Sequence, residues 1–319
     1  MALEIHVTNS MDEIGEAAWD TLSAGQPFQS YNWYRFGERV MTNAKPIHVI
    51  LSECGQAIAR ASFWRIDDEP LARGLLAAFL KRWPLLICRS PLSSTNGLIL
   101  PNPKGSALEE FAKIGRRLRR QEECSLLLFD SLDAATARTF PRTVHYSFGM
   151  PGTVLHVCGN SFDQYVASLP RKKRKDIKYD LRKIAERGIV VTRHQTVDDL
   201  DEAERLYRTL EARKGPERNP WVRSMWENLA MVNGTWVAAR DANGRLLACG
   251  TAYEDNGAQL ETNMGHDTTP YAYLAVLYES IRLGLERGMH SFYWGATTYK
   301  LKRRLGFSTI ENDCAAIVF

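Results

Sequence analysis

No stretch of the 319 residues is apolar for long enough to cross a bilayer. The longest apolar patch, Leu75 to Leu80 and then Trp83 to Cys88, is broken by Lys81 and Arg82. A spanning helix needs about 20 apolar residues in a row. The sequence also lacks CxxC, HxxxH and HExxH. Its six cysteines (Cys54, Cys88, Cys124, Cys158, Cys249 and Cys314) are scattered, and most lie in apolar runs that suit small core residues. With no ligand spacing among its seven histidines, no metal site is expected. The opening residues, MALEIHVTNSMDEI, alternate apolar and polar and carry acids early, unlike a secretory leader. The expectation is a cytoplasmic protein with no membrane span.

What is present suits globular folding. A chain of this length divides naturally into two domains, and at 45% hydrophobic residues it can bury sizeable cores without a disulfide or metal staple. The net charge is only +4, but it is unevenly placed. Arg171 to Arg187 holds nine Lys/Arg against three acids, so this one segment carries more than the whole excess. That is the electrostatic footprint expected of a phosphate-binding surface; the plainer alternative is a solvated helix face.

Periodicity places a strand at 3–9, then a helix that Ser10 caps with Glu13 three residues on. A second amphipathic helix covers 30–41, and a hairpin joins 47–53 to 57–66 through Cys54-Gly55-Gln56. A helix near 72–82, a strand near 85–89, a helix over 107–121, a buried strand at 124–130, a short helix at 134–140 and strands within 143–158 follow. The second half begins with helices at 161–169 and 171–187, a strand at 189–194, and helices ending at Gly215 and Gly234. A three-strand meander has turns at Asp241–Gly244 and Asp255–Gly257. Helix 271–286, strand 289–294, helix 298–305 and a last strand over 307–319 close the chain. The halves repeat one order: helix 30–41 matches 220–233, hairpin 47–66 matches 235–254, helix 107–121 matches 271–286, and strand 124–129 matches 289–294. We therefore expect an α/β protein (α+β, with mixed sheets) built as two tandem domains, 1–158 and 159–319.

The segments FDQYVASLPRKKRKDIKYDLRKIAERGIVV, EARKG, MGHD and ERGM, with the tail GATTYKLKRRLGF, occur in that order over about 160–308. In that order they resemble the Fem-like branch of the GNAT acyltransferase superfamily, which includes the peptidoglycan peptidyltransferases. FQSYNWYRF in the first half resembles the same branch. The resemblance implies two tandem GNAT-like domains and an acyltransferase that forms an amide on a small-molecule amine acceptor. It implies no permanently bound cofactor. The co-substrate would be acyl-CoA, an acyl-carrier thioester or an aminoacyl-tRNA, with a tRNA or an acyl carrier protein as candidate partner. The glycine-rich pyrophosphate loop of acetyl-CoA users is absent: MGHDTTPYAYLAV keeps only Gly265, and Pro270 donates no N–H. The first half lacks the Tyr-Lys tail and reads as a degenerate copy. The oligomeric state is left open.

Acyl transfer to an amine needs a base, a donor toward the oxyanion and a proton path to the leaving group. Glu261, on a strand central in the meander, is the candidate base, with His266 and Asp267, just past that strand's end, as alternatives. Tyr271 and Tyr273, at a helix entry, are candidate proton donors, though a packed aromatic reads equally well. Lys300, in the tail shared with the family, is the candidate for stabilising developing charge. Arg171, Lys172, Lys175 and Arg303 are candidate phosphate contacts, and Trp294, Thr297, Thr298 and Tyr299 candidate substrate contacts. The rival expectation is a non-catalytic GNAT-like module that binds a nucleotide-linked or nucleic-acid ligand through its basic helix.

Overall fold

The structure is a computed structural model and describes residues 3–67, 75–100, 105–140, 143–147, 151–213, 219–310 and 313–317. Two mixed sheets organise the chain, each with its own helices. In the first part the elements are β1 (Leu3–Thr8), α1 (Glu16–Ser23), α2 (Tyr31–Val40), β2 (Lys45–Glu53), β3 (Gln56–Ile66), α3 (Leu75–Arg82), β4 (Leu85–Cys88), β5 (Leu98–Ile99), α4 (Gly105–Gln121), β6 (Leu126–Leu132), α5 (Ala134–Thr139) and β7 (Val144–Ser147). Then come β8 (Thr153–His156), α6 (Phe162–Ser168), α7 (Arg171–Glu186), β9 (Val190–His194), α8 (Leu200–Ala212), α9 (Val222–Glu227), β10 (Thr235–Arg240), β11 (Leu246–Asp255), β12 (Ala258–His266), α10 (Ala272–Glu286), β13 (Ser291–Trp294), α11 (Tyr299–Arg304), β14 (Ser308–Thr309) and β15 (Asp313–Ile317).

The first unit runs to Pro151 and takes in β15; the second is Gly152–Ile310. The first sheet has the order β1-β2-β3-β4-β6-β15-β7, with β5 beside β3. Its hairpin β2–β3 is antiparallel, and β4 and β6 are parallel, joined by the crossover helix α4. Val49, Leu51, Phe63, Leu86, Phe111, Ile114, Leu127 and Phe129 pack as its core. The second sheet has the order β14-β8-β13-β12-β11-β10-β9. It is an antiparallel meander with one parallel pair, β12–β13, whose crossover is α10. Tyr165, Ile177, Val237, Ala252, Val276, Ile281, Phe292 and Leu305 belong to its core.

Four expectations change. The last stretch is not one strand of the second domain. β14 pairs with β8, whereas β15 pairs with β6 and β7 in the first sheet. The boundary between the units also falls at 151/152 rather than 158/159. The capped helix at Ser10 is a short 3-10 turn, Met11–Glu13, after which Gly15 at φ 82 starts α1 afresh. Glu13 does not complete a capping box, because its carboxylate takes the Thr8 hydroxyl. Finally, the helix over 220–233 is α9 followed by a separate 3-10 turn, Leu229–Val232.

Candidate active site in the second unit

β12 and β13 pair over only four rungs, from Ala258↔Ser291 to Glu261↔Trp294. Beyond that rung β12 stays bonded to β11 as far as Ala248↔His266, while β13 gives way to the 295–298 turn. A bulge at Asn263, whose φ is 54, marks where β12 bends away. The parallel pair therefore opens at its carboxyl end, where α/β sheets present ligands.

Glu261 stands on this last rung. It is 4% exposed, and among the described residues neither carboxylate oxygen closes a hydrogen bond. Gly250 on β11 makes room for it: a Cβ there would lie 2.5 Å from Glu261 Oε1 and 2.2 Å from Met264 Sδ. Burial drives the Glu261 pKa well above the ordinary carboxylate range, and the nearby Ser280 hydroxyl offsets only part of that. An unpaired buried carboxylate is costly, so its retention calls for work or a ligand.

Tyr273, in the first turn of α10, joins this carboxylate to the rest of the site. Burial and the Glu261 charge push its phenol up to about 12, while a hydrogen bond from Thr298 pulls the other way. The ring packs against His266, with centroids 5.1 Å apart. His266 itself donates Nδ1–H to the Asp267 carbonyl, and so is oriented by the backbone at the end of β12. Ser280 lies two turns further along α10 on the face that β12 covers; the Ser280 carbonyl accepts Gln259 Nε2 at 3.0 Å. The structure thus brings Glu261, His266, Tyr273 and Thr298 together.

The turn that supplies Thr298 is strained. Thr297 and Thr298 have φ 73 and 47, left-handed values that β-branched residues rarely adopt. Lys302 holds it in place. This residue is 5% exposed, and its ammonium donates to the carbonyls of Gly295 and, at 3.3 Å, Ala296. The Thr153 hydroxyl adds bonds to the Trp294 and Gly295 carbonyls. The sequence reading favours Lys300, whereas the lysine that the structure draws into the turn is Lys302. Lys300 is exposed on the first turn of α11, and Lys302 is buried. The missed signal is helical phase: Lys302 follows Thr298 by one turn, and its N–H bonds the Thr298 carbonyl at 3.1 Å.

Other candidates lie apart from this cluster. Tyr271 turns toward α7: its φ is 71, Arg187 sits over its ring at 4.8 Å, and a hydrogen bond with Tyr179 raises its pKa. Trp294 is 3% exposed and stacks on Phe307 at 4.2 Å, so its ring belongs to the core rather than to a ligand wall. Thr297 and Tyr299 are half-buried in the turn and the first residue of α11. Arg171, Lys172 and Lys175 are exposed on the first turns of α7. Arg303 is exposed too, and its carbonyl accepts Lys173 Nζ at 2.6 Å. A second tie was not anticipated: the buried Asp180 of α7 accepts Tyr278 of α10 at 2.6 Å and Arg304 of α11 at 2.7 Å. The basic helix is thereby fixed to the two helices that border the site.

The acetyltransferase (GNAT) domain family model matches residues 171–303, within the second unit. No curated protein sequence matches the chain. Among solved structures, FemX aligns with a TM-score of 0.65 at 12% identity, over 98% of this chain and 97% of that one. A tandem GNAT protein from the clavulanic acid biosynthesis pathway aligns with 0.58 at 12% identity, over 99% and 98%. The C-terminal domain of a putative lysylphosphatidylglycerol synthetase from Agrobacterium fabrum aligns with 0.57 at 12% identity, over 96% and 92%. At such identities these likenesses concern the fold alone, which this chain shares over nearly its whole length with FemX and with the tandem GNAT protein.

Proposed function

We propose that the protein transfers an acyl or aminoacyl group from an activated ester or thioester to an amine, and that the second unit holds the chemistry. The observation that carries this reading is the buried carboxylate of Glu261, whose oxygens close no hydrogen bond among the described residues and have only the Ser280 hydroxyl nearby, placed where β12 and β13 part and beside the Tyr273 phenol. In its ionised form the Glu261 carboxylate is the general base, and burial, by raising its pKa, makes it a stronger one than an exposed carboxylate. Glu261 takes the proton that the attacking amine loses as the C–N bond forms. Tyr273 remains a phenol at neutral pH and gives its proton to the departing oxygen or sulfur as the carbonyl bond to it breaks. His266 and Thr298 orient Tyr273, and Lys302 keeps Thr298 within reach by fixing the turn.

The donor is read as phosphate-bearing. Exposed Arg171, Lys172 and Lys175, on a helix tied through Asp180 to α10 and α11, suit the phosphates of a coenzyme arm or an aminoacyl-tRNA. The first unit is read as the non-catalytic copy, because its matching rung carries Cys88 in place of a carboxylate.

The test supplies labelled acetyl-CoA or a labelled aminoacyl-tRNA pool together with the amine-containing fraction of a cell extract, and measures label in amide product. Glu261→Gln should abolish product while leaving the protein folded by circular dichroism. RNase treatment separates the donors: loss of product assigns aminoacyl-tRNA, and persistence assigns the thioester. Equal product from wild type and Glu261→Gln would overturn the assignment of the base, and no product from either donor would overturn the reading as a whole.

A further inference from the structure

The first sheet ends at β1, and no described strand pairs with the outer edge of β1. Edge strands are ordinarily blunted by a bulge, a proline or a lysine, or are covered, because their free N–H and C=O groups template further pairing. β1, with the sequence LEIHVT, has no proline or lysine. Its register with β2 runs unbroken from Leu3↔Glu53 to Thr8↔His48, so no bulge twists it away. Five of its six residues are exposed.

The two faces of β1 differ. Leu3, Ile5 and Val7 share one face and are 38%, 39% and 39% exposed. They lie opposite Glu53, Leu51 and Val49 of β2, and Leu51 and Val49 belong to the core, so this face prolongs a buried apolar surface past the last strand. Glu4 and His6 share the other face.

A second copy can pair with this edge only in registers that keep each face on its own side, because a twofold axis perpendicular to the sheet does not exchange faces. Antiparallel self-pairing must then centre on a residue. Centred on Glu4, it sets glutamate against glutamate. Centred on His6, it sets histidine against histidine. Centred on Ile5, it sets Leu3 against Val7, Ile5 against Ile5, and Glu4 against His6 twice. Among the described strand residues only the Ile5 register pairs Leu3, Ile5 and Val7 entirely with one another, and it sets the Glu4 carboxylate against an imidazole that can donate a hydrogen bond to it, whereas like charges directly opposite are destabilising. The strand is therefore complementary to itself in one register.

We propose that the protein forms a twofold dimer through antiparallel pairing of β1 with β1 of a second copy, centred on Ile5, so that the first sheet runs on into that of its partner. This does not depend on the acyl-transfer reading, and it uses no residue placed in the active site.

Sedimentation equilibrium over a wide protein concentration range is the direct test, with a monomer–dimer equilibrium expected. Ile5→Lys should abolish the dimer. Glu4→Lys and His6→Glu should each weaken it roughly tenfold, since each mispairs two symmetric contacts. The double swap Glu4→Lys/His6→Glu should restore it. In a Cys54→Ser/Cys158→Ser background, which removes the exposed native thiols, Ile5→Cys should oxidise to a covalent dimer. Opposed Cα atoms in an antiparallel pair are about 4.5–5.5 Å apart, within disulfide reach. His6→Cys in the same background should not cross-link. A monomer at every concentration, a double swap that fails to restore pairing, or cross-linking through His6→Cys instead would overturn the proposal.

Discussion

In the first unit the parallel pair β4–β6 runs from Leu85↔Leu126 to Cys88↔Phe129; in the second, β12–β13 runs from Ala258↔Ser291 to Glu261↔Trp294. Each has four rungs and a crossover helix, α4 or α10. They differ in what stands on the last rung and in how its polar groups are satisfied. Burial raises the Cys88 thiol, leaving a small inert core residue. Just past Phe129 the buried Asp130 is well partnered: it accepts the Ser131 N–H at 2.7 Å and the Cys314 thiol at 3.0 Å, and lies 3.8 Å from Arg89. Glu261 is as buried as Asp130 but has no such bonds among the described residues. One fold element therefore appears twice, once with its polar groups satisfied and once with a carboxylate that closes no hydrogen bond among the described residues, and the proposal places the chemistry at the second.

The largest expected effect breaks that comparison at the rung itself. Glu261→Gln should lower turnover by about 10²–10⁴-fold, the usual contribution of a positioned base. Cys88→Ser at the matching position should leave turnover within about twofold. A loss on Cys88→Ser as large as that on Glu261→Gln, with both proteins folded, would show that the first unit is not a spectator. Tyr273→Phe should come next, at roughly 10–10²-fold, because a leaving group can still draw its proton from water. Tyr271→Phe should have little effect, since its hydroxyl meets Tyr179 on α7 rather than Glu261. Steady-state rates for the pair decide the matter, and equal losses would move the proton donor.

The turns that follow the two rungs sharpen the contrast. α5 is capped in the common way, with the Asp133 carboxylate accepting the Thr136 N–H at 2.7 Å. α11 has Thr298 at its N-cap with no side-chain cap bond, and is held from inside by Lys302. Lys302→Met should destabilise the protein by about 2 kcal/mol, because it strands buried carbonyls. Asp133→Ala should cost about 1 kcal/mol, the ordinary value of a cap. Lys300→Met should change stability by less than about 0.5 kcal/mol, since the residue is exposed. Chemical denaturation of the three variants gives the ranking, and a larger loss at Lys300 than at Lys302 would reverse the roles drawn for them.

Much of this was readable from periodicity and turn chemistry. The helix at 107–121, the meander with its glycine turns, and the helix at 271–286 followed by a short strand announce themselves by spacing. Glu261 stood out because a carboxylate on a central strand needs a reason. What could not be read depends on long-range pairing or on side-chain direction. β15 joins the first sheet through backbone bonds to β6 and β7, and alternation says nothing about which sheet a strand enters. Lys300 and Lys302 look alike in a basic helix; only the strained turn ahead of them determines which ammonium is drawn inward. Tyr271 and Tyr273 are two residues apart, so they leave the helix entry on different sides, toward α7 and toward Glu261 respectively.

The smallest effect concerns stability, and it separates an open carboxylate from a satisfied one without any substrate. The folded-state pKa of Glu261 lies above its unfolded value because of burial. Folded protein therefore keeps a proton there that unfolded protein has already released. Its contribution is fully present below the ordinary carboxylate pKa and is lost as pH rises through the folded value, at up to about 1.4 kcal/mol per pH unit. Glu261→Gln removes that slope. The Tm difference, variant minus wild type, should thus be near its minimum in acid, rise with pH across the window above the ordinary carboxylate range, and level off once Glu261 ionises in the folded protein. Cys88→Ser should show no such rise over the same range, because the thiol stays protonated in both states there. A flat difference for Glu261→Gln would mean that the carboxylate finds a partner in solution, and the distinction between the two rungs would then rest on turnover alone.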